Sequence, residues 1–598
     1  LGPALAPLGA LVPLLHRAVS GESGARLGGV LLHEAWVAAL GVPIAHFLLV
    51  TRFGCGGALA LLVLLALPAG CALFPAIPSR AGRPWARWLA GPMVLGLAFG
   101  IGRAGQPALR TPQLSNPAFR LLSFKEDAGF AVTVVDDGVR GERTLLTDGF
   151  RATAVGDDYL YMQVLGHLPV LLHAAPRRVG VLAFGTGTTA GAVFLHEAVE
   201  RIEVLELSRA VCEAAPFFEQ ANHGVFAEGV AGLLDAGDGR SRVVLHLGDG
   251  RRTLGRLTGV LDVLTMEPLL PDSPFAVYLY TPEFYERARS ALAPGGLLCQ
   301  WVPPHALAPD TFDAVIDAFT DSLPWSAVFL FGTQVILVGG ESQPTLARGN
   351  FPAPDTRAGR ALVALGLESP AGLLARYVTG GDAWPRAPRP LTDADPWIVY
   401  RPRRSAAEVL RALPQNLRRL RQLESDPPLA WRVATGPEAI RRLQGVRLLH
   451  RAREAWRVWD LERRGIPFPH DPTLGHLEGY RGQLASALPG DPEVAQFERQ
   501  VRFDAARTGG VSDLDRDLDL SALEQLTRAA EMRPGRADVH LFVALAAGRL
   551  GLVDLAQKAG QRAQDLCPRL LETPQGQRAL ALGLPAGVWP GAADAPNP

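Results

Sequence analysis

The sequence predicts an α/β protein in three parts: a nucleotide-binding domain with a mostly parallel sheet at residues 115–345, membrane helices before it, and an all-helical region after it. Three observations predict this. Apolar strands alternate with helical segments between Arg178 and Val302, the pattern of a parallel sheet covered on both faces. A glycine-rich turn, FGTGTTAG at 184–191, directly follows the first of those strands. An uncharged run, GGALALLVLLALPAGCALFPAI at 56–77, is about long enough to cross a bilayer as a helix. At 598 residues the chain is too long for one hydrophobic core.

Residues 1–104 hold much of the apolar excess and form the expected membrane region. Besides 56–77, the run WLAGPMVLGLAFGIG at 88–102 follows Trp85 and begins at Trp88, where an interfacial aromatic belt would sit. Residues 31–50 are weaker, because His33, Glu34 and His46 interrupt them. Buried helices of a large soluble protein are the alternative. Arg80, Arg83 and Arg87 precede the last span and Arg103, Arg110 and Arg120 follow it, so flanking charge does not orient it. No signal peptide with a cleavage site is readable.

Charge and cysteine content narrow the function. There are 59 basic and 59 acidic residues, which gives no electrostatic reason to expect nucleic acid. The five cysteines (Cys55, Cys71, Cys212, Cys299 and Cys567) are far apart and show no CxxC spacing. Neither a disulfide framework nor a zinc site is supported, and a reducing compartment fits best.

AVTVVDDGVRGERTLLTDG reads as two strands joined by a turn at Asp136-Asp137-Gly138. A helical stretch at 157–173 leads into strands at 178–185, 201–207, 242–249, 261–268 and 295–302, with a helix at 281–292 and a closing hairpin at 326–340. Residues 346–402, rich in Pro, Gly and Ala, read as a connector with one or two helices that completes the domain. The helical region spans 403–590. Pro534 and Pro568 lie 34 residues apart, the period of a tetratricopeptide repeat, with Ala522 and Ala529 before one, Ala556 and Ala563 before the other, and Ala544 between. An ordinary helical hairpin is the alternative.

In the glycine-rich turn, Gly185 and Gly187 let the backbone fold tightly and approach a ligand that a Cβ would block. Thr186 and Thr188 complete the loop, and the following helix offers N-terminal amides. Glu206 ends the next strand 19 residues after Gly187, where an acid accepts hydrogen bonds from ribose hydroxyls. Asp249, after the third strand, reaches the same crevice and suits an adenine amino group, or else caps a turn. Glu267, after the fourth strand, is the ionisable residue at the next strand edge. There is no pyrophosphate-type GxGxxG, Walker lysine or metal-ligand cluster, so no metal is expected.

As an ordered set, TDGF (147–150), DDYLYMQVLGHLPVLLH (157–173), RRVGVLAFGTGTTAG, IEVLELSRAVCEAA (202–215), LGDGRR (247–252), LDVLTMEP, LYTPEFYERARSALAPGGLLCQWVP (279–303) and LTDADPWIVYRP (391–402) resemble the spermidine synthase-like (aminopropyltransferase) family. The closer resemblance is to bacterial proteins in which that domain follows transporter-like membrane helices. It implies a class I methyltransferase-like (Rossmann-like) sheet domain preceded by transmembrane helices and followed by a tetratricopeptide-like region, at the bacterial inner membrane with the catalytic domain in the cytoplasm. It implies S-adenosylmethionine or decarboxylated S-adenosylmethionine as cofactor, held by Gly185, Thr186, Gly187, Thr188, Glu206 and Asp249, with Tyr161 and Glu267 as catalytic residues.

Other positions depart from the family. Thr188 stands for the aspartate of its Gly-Gly-Gly-Asp-Gly loop, and Met162-Gln163 for the His-Glu after the tyrosine. Ala152 replaces a glutamine, and Glu267 with Leu270 replaces an Asp-x-x-Asp pair. A transferred group ending in an ammonium needs carboxylate partners in a dry pocket. The expected activity is therefore alkyl or aminopropyl transfer to a small-molecule amine or other nucleophile, with poor spermidine synthesis and a preference for S-adenosylmethionine itself. Methyl transfer, or a non-catalytic nucleotide-binding membrane scaffold or sensor, are the alternatives. The membrane and a protein bound by the helical tail are the expected partners, and nucleic acid is not.

Overall fold

The computed structural model describes residues 115–589 except 128–129, 157–158, 227–240, 274, 403, 470–476 and 586–587. The chain divides into two units, residues 1–112 with 125–131, and residues 113–124 with 132–598. The elements below belong to the second, apart from the facing ends of β1 and β2.

Four strands, β1 (Phe119–Glu126), β2 (Ala131–Asp137), β3 (Glu142–Thr147) and β4 (Phe150–Val155), form a sheet in that order. β2 and β3 make the expected antiparallel hairpin, but Asp137 pairs with Glu142, so the turn is Gly138–Gly141 rather than 136–138. The reason is a side-chain cap: Asp137 Oδ1 accepts from the amides of Val139 (3.1 Å) and Arg140 (3.0 Å).

The second sheet has eight strands: β5 (Arg178–Leu182), β6 (Arg201–Glu206), β7 (Val243–Leu247), β8 (Leu261–Met266), β9 (Leu292–Val302), β10 (Trp325–Phe331), β11 (Gln334–Gly340) and β12 (Tyr377–Gly380). Their order is β12-β10-β11-β9-β8-β5-β6-β7. The first five in sequence run parallel, and β10 to β12 close one side antiparallel. The chain starts in the middle at β5, steps outward to β6 and β7, then returns to β8 on the other side. Where the order reverses, the loops after β5 and β8 diverge and leave a crevice at the carboxyl ends of the strands.

Helices cover both faces. α1 (Tyr161–Leu172) buries Leu165, Leu168 and Leu171 with Trp301 and Phe329 on one face. On the other, α2 (Pro282–Ala291) and α3 (Pro309–Ser322) bury Phe284, Tyr285, Phe312 and Phe319. β12 is an addition to the expected pattern. Four residues inside a Pro- and Gly-rich stretch are too short to show a period, and pairing with β10 decides their conformation.

From Ala406 onward the described elements are helices. The helices Asp519–Met532 and Val553–Leu566 begin 34 residues apart, and the helix between them, Ala537–Arg549, packs on both. Ala522, Ala529, Ala544, Ala556 and Ala563 are fully buried where these helices cross. This region docks on the β2–β3 turn. The amide of Ala537 donates to Gly138 O at 2.9 Å, and a Cβ on Gly141 would stand 2.9 Å from the Gly535 carbonyl.

The expected transmembrane helices and inner-membrane location are corrected. Among the described residues no helix is long and apolar enough to cross a membrane. The longest, Leu429–Arg463, carries arginines along its whole length, and the apolar α1 has only 12 residues. The segments 31–50, 56–77 and 88–102 lie outside the described residues.

Candidate active site

After Leu182 the backbone enters the left-handed region at Ala183 (φ 68°), Gly185 (φ 55°) and Gly187 (φ 80°), folding the loop back toward β5. Gly187 is required by crowding as well as by φ. A Cβ there would lie 2.4 Å from Phe184 Cζ, and Phe184 is fixed by stacking on Phe226 with centroids 4.3 Å apart. Gly185 has more room, its nearest neighbour being Thr153 Cγ2 at 3.5 Å. Asn222 braces the loop from behind, donating to Thr186 O (3.1 Å) and Ala215 O (2.9 Å). Thr186 and Thr188 are buried with their hydroxyl oxygens 2.8 Å apart.

Glu206 is buried at the end of β6 and tethers this loop. Its Oε2 accepts from the amide of Phe184 and its Oε1 from that of Ser208, both at 2.8 Å. Each carboxylate oxygen can accept more than one hydrogen bond, so the tether is compatible with further donors.

Asp249 is exposed and caps the short helix Gly250–Leu254, with Oδ1 accepting from the amides of Arg251 (2.8 Å) and Arg252 (3.3 Å). The capping role weighed from the sequence is thus present. Beside it, Gly248 (φ 132°) faces open space, with nothing within 4 Å of a Cβ position. Arg251 reaches across to Asp393 with a fork of 2.9 and 2.5 Å, and Thr281 Oγ1 donates to the same carboxylate at 2.7 Å. Burial would raise the Asp393 carboxyl, but Arg251 and Thr281 hold it below its ordinary value.

Glu267 follows β8 at the reversal point. Tyr161, the first residue of α1, donates its hydroxyl to Glu267 Oε1 at 2.7 Å. Burial pushes the Glu267 carboxyl up to about 7, against the opposing pull of that hydrogen bond. Burial, and then the charge of Glu267, push the Tyr161 hydroxyl well above its ordinary value. The Tyr161 ring stacks on Trp301 (centroids 5.4 Å, 16° between planes), and the Trp301 indole donates to Gln334 Oε1 at 3.0 Å.

The structure therefore brings Gly185, Thr186, Gly187, Thr188 and Glu206 into one loop-and-anchor assembly, and Tyr161 and Glu267 into one pair. Met162 links the two: its carbonyl accepts from Thr189 Oγ1 at 3.0 Å, and its sulfur lies 3.8 Å from Thr186 Oγ1. Asp249 stands apart on the next strand end. Leu270 packs against the cluster of Tyr161 and Trp301. Sequence reasoning missed Tyr280, whose hydroxyl donates to Leu269 O at 3.0 Å and holds the loop after Glu267. It also missed the buried pair His167 and His196, 2.8 Å apart between ring nitrogens. An isolated Tyr or His in an apolar run carries no signal beyond core.

Residues 158–321 match the family model described as the spermine/spermidine synthase domain. The chain resembles that domain over this stretch. The chain is similar to a polyamine aminopropyltransferase of Nitrosomonas europaea, 32% identical over 157 residues, or 26% of this chain and 44% of the relative. It is also similar to a spermidine synthase of Dictyostelium discoideum, 29% identical over 155 residues, or 26% of this chain and 50% of that one. The chain spans about half the length of the curated relatives it matches. A crystal structure of spermidine synthase from Thermotoga maritima aligns at 20% identity and a TM-score of 0.32, covering 38% of this chain and 74% of that one.

Proposed function

We propose that residues 115–402 bind S-adenosylmethionine or its decarboxylated form and transfer an alkyl group from it, aminopropyl in the decarboxylated case, to an amine. The observation that carries this reading is the Tyr161–Glu267 pair at the strand-order reversal, with a carboxyl that titrates near neutrality. A general base works best when its pKa lies near the operating pH.

The residues present suit such a donor. The Gly185–Gly187 loop and the open space at Gly248 admit a ligand close to the backbone. Glu206 has acceptor capacity for ribose hydroxyls, and Asp249 for an adenine amino group. When bound, the donor supplies an electrophilic carbon beside a sulfonium, and the departing sulfur keeps the bonding electron pair. Glu267 takes the proton that the attacking nitrogen must lose, and Tyr161 fixes the orientation of its carboxylate. The remaining contribution is alignment.

Thr188 spends its hydroxyl on Thr186, and Leu270 is packed against the apolar cluster that includes Tyr161 and Trp301. With no acid at either position, putrescine is a weak acceptor and S-adenosylmethionine the preferred donor in this reading. The tail, with its alanines at helix crossings, is read as a tetratricopeptide-like array for a protein partner.

The test supplies purified protein with each donor and a set of amines. Methylthioadenosine reports aminopropyl transfer, and S-adenosylhomocysteine reports methyl transfer. Absence of donor binding by calorimetry overturns the reading.

A further inference from the structure

We infer that the acceptor is an amine with a single ammonium and an uncharged, apolar body; the inference rests on the transferase reading above. The first observation is the isolation of Glu267. It accepts from the Tyr161 hydroxyl, the Tyr161 ring stacks on Trp301, and Leu270 packs against the apolar cluster that holds both rings. Tyr159 extends the same aromatic group, its ring centroid 6.3 Å from that of Tyr161.

The other charged groups nearby are engaged or out in solvent. Glu206 holds two backbone amides, Asp249 caps a helix, and Asp393 holds Arg251. Asp272, two residues past Leu270, is exposed. Arg151 donates to the Tyr159 hydroxyl at 3.1 Å and is itself paired with Glu142 and Asp137, so those carboxylates are already matched. One ammonium can be matched by Glu267. A second ammonium on a short chain would lose water beside aromatic and aliphatic groups without gaining a buried carboxylate.

The second observation is the rim. Leu207, directly after Glu206, is 50% exposed, and Phe275, on the loop after β8, is 81% exposed. Leu207 follows the carboxyl end of β6, and Phe275 lies in the connection that leaves the carboxyl end of β8. Large apolar side chains left open there gain from being covered by an apolar body, and would gain nothing from a second ammonium.

The transfer balances without a further reactant. The amine nitrogen forms a bond to the carbon beside the sulfonium, the carbon–sulfur bond breaks with its pair going to sulfur, and the proton passes to Glu267. The experiment uses the full chain with pentylamine, phenethylamine, putrescine and spermidine, reading the thioether nucleoside released. Donor affinity is measured separately by calorimetry. The expected result is a kcat/KM for pentylamine or phenethylamine at least tenfold above that for putrescine. Leu270→Asp should raise kcat/KM for putrescine at least tenfold at unchanged donor affinity, and Leu270→Glu serves if Leu270→Asp does not fold. Donor binding with putrescine used as well as pentylamine, or with no amine used, overturns the inference. Failure to bind either donor overturns the transferase reading beneath it.

Discussion

Tyr161 and Glu267 are 106 residues apart in the chain and 2.7 Å apart at their side-chain oxygens. The bond ties the start of α1 to the end of β8 and stabilises the charged form of a carboxyl that burial pushes up to about 7. Tyr161→Phe removes the stabilising bond, so the Glu267 pKa rises and activity requires higher pH. A hydrogen bond to a charged group contributes about 1.5–3 kcal/mol, and about 1.4 kcal/mol corresponds to one pH unit. The acidic limb of the rate profile should therefore move up by about one to two units. Glu267→Gln should lower kcat by about 10²–10⁴ above the acidic limb, with the deficit shrinking below about pH 7 as the wild-type carboxyl protonates. A profile unmoved in Tyr161→Phe would separate Tyr161 from the titration.

Glu206 gives a sharper stability prediction than its sequence position suggested. Because its two oxygens each hold a backbone amide, Glu206→Gln presents one N–H to another N–H and leaves an amide unsatisfied. The expected cost is about 1–3 kcal/mol in denaturant unfolding. Glu206→Ala should also lose at least tenfold in donor affinity by calorimetric titration, because the loop it anchors is the one expected to meet the donor. Equal affinities would remove Glu206 from the binding site.

These two residues show what the chain order reveals and what it hides. The strands were legible because β5, β6 and β8 are apolar runs bounded by Gly and charged residues, and a parallel sheet buried on both faces demands such runs. The FGTGTTAG turn was legible because left-handed backbone selects glycine. The tether from Glu206 to Phe184 was not, since backbone amides leave no trace in side-chain identity. Neither spacing nor periodicity could reveal the Tyr161–Glu267 contact, because a long-range side-chain pair depends on the packing of α1 over β8. Glu267 stood out as the ionisable residue at a strand edge, while resemblance alone suggested Tyr161. Hydropathy reads residues 56–77 as a span; that segment lies outside the described residues, among which no helix is long and apolar enough to cross a membrane.

The two loop glycines should respond differently to the same substitution. Gly187→Ala meets both a left-handed φ, costing roughly 1–2 kcal/mol, and the immobile Phe184 ring at 2.4 Å. It should be destabilised well beyond 2 kcal/mol or fail to fold. Gly185→Ala meets only the φ penalty, since its nearest neighbour lies at 3.5 Å. It should fold with a modest loss, while its Cβ enters the space assigned to the donor and lowers donor affinity. Thermal unfolding and calorimetry on both variants check this, and equal stability of the two would refute the crowding argument.

The last prediction concerns acid stability and rests on charges buried between the sheet domain and the tail. Arg376, fully buried, lies 3.3 Å from both oxygens of Asp491, while Arg453 pairs with Glu493 at 2.5 Å and the Gly332 amide donates to Glu493 at 2.7 Å. Burial would raise Glu493, but the guanidinium groups of Arg453 and Arg376 prevail and hold it at about 2. Burial, aided by Arg453, Arg376 and Arg447 against the opposing charge of Glu493, lowers His450 to about 3. Both folded values lie below the unfolded ones, so in both cases the unfolded chain binds protons first as pH falls. The His450 contribution is complete above about pH 6.5 and is lost between there and about 3. The Glu493 contribution is complete above about 4.5 and is lost toward 2. Each unit of separation corresponds to about 1.4 kcal/mol. The melting temperature should therefore begin to fall below about pH 6.5, before ordinary carboxylates titrate. His167 and His196 are lowered by burial in the same sense, so His450→Leu should flatten that first decline without abolishing it. Arg376→Met leaves Asp491 and Glu493 short of a cation and should cost about 3–5 kcal/mol at neutral pH, with the deficit shrinking as pH falls toward 4 and the carboxyls protonate. A melting temperature for His450→Leu that tracks the wild type between pH 6.5 and 4.5 would exclude His450 as a source of the acid sensitivity.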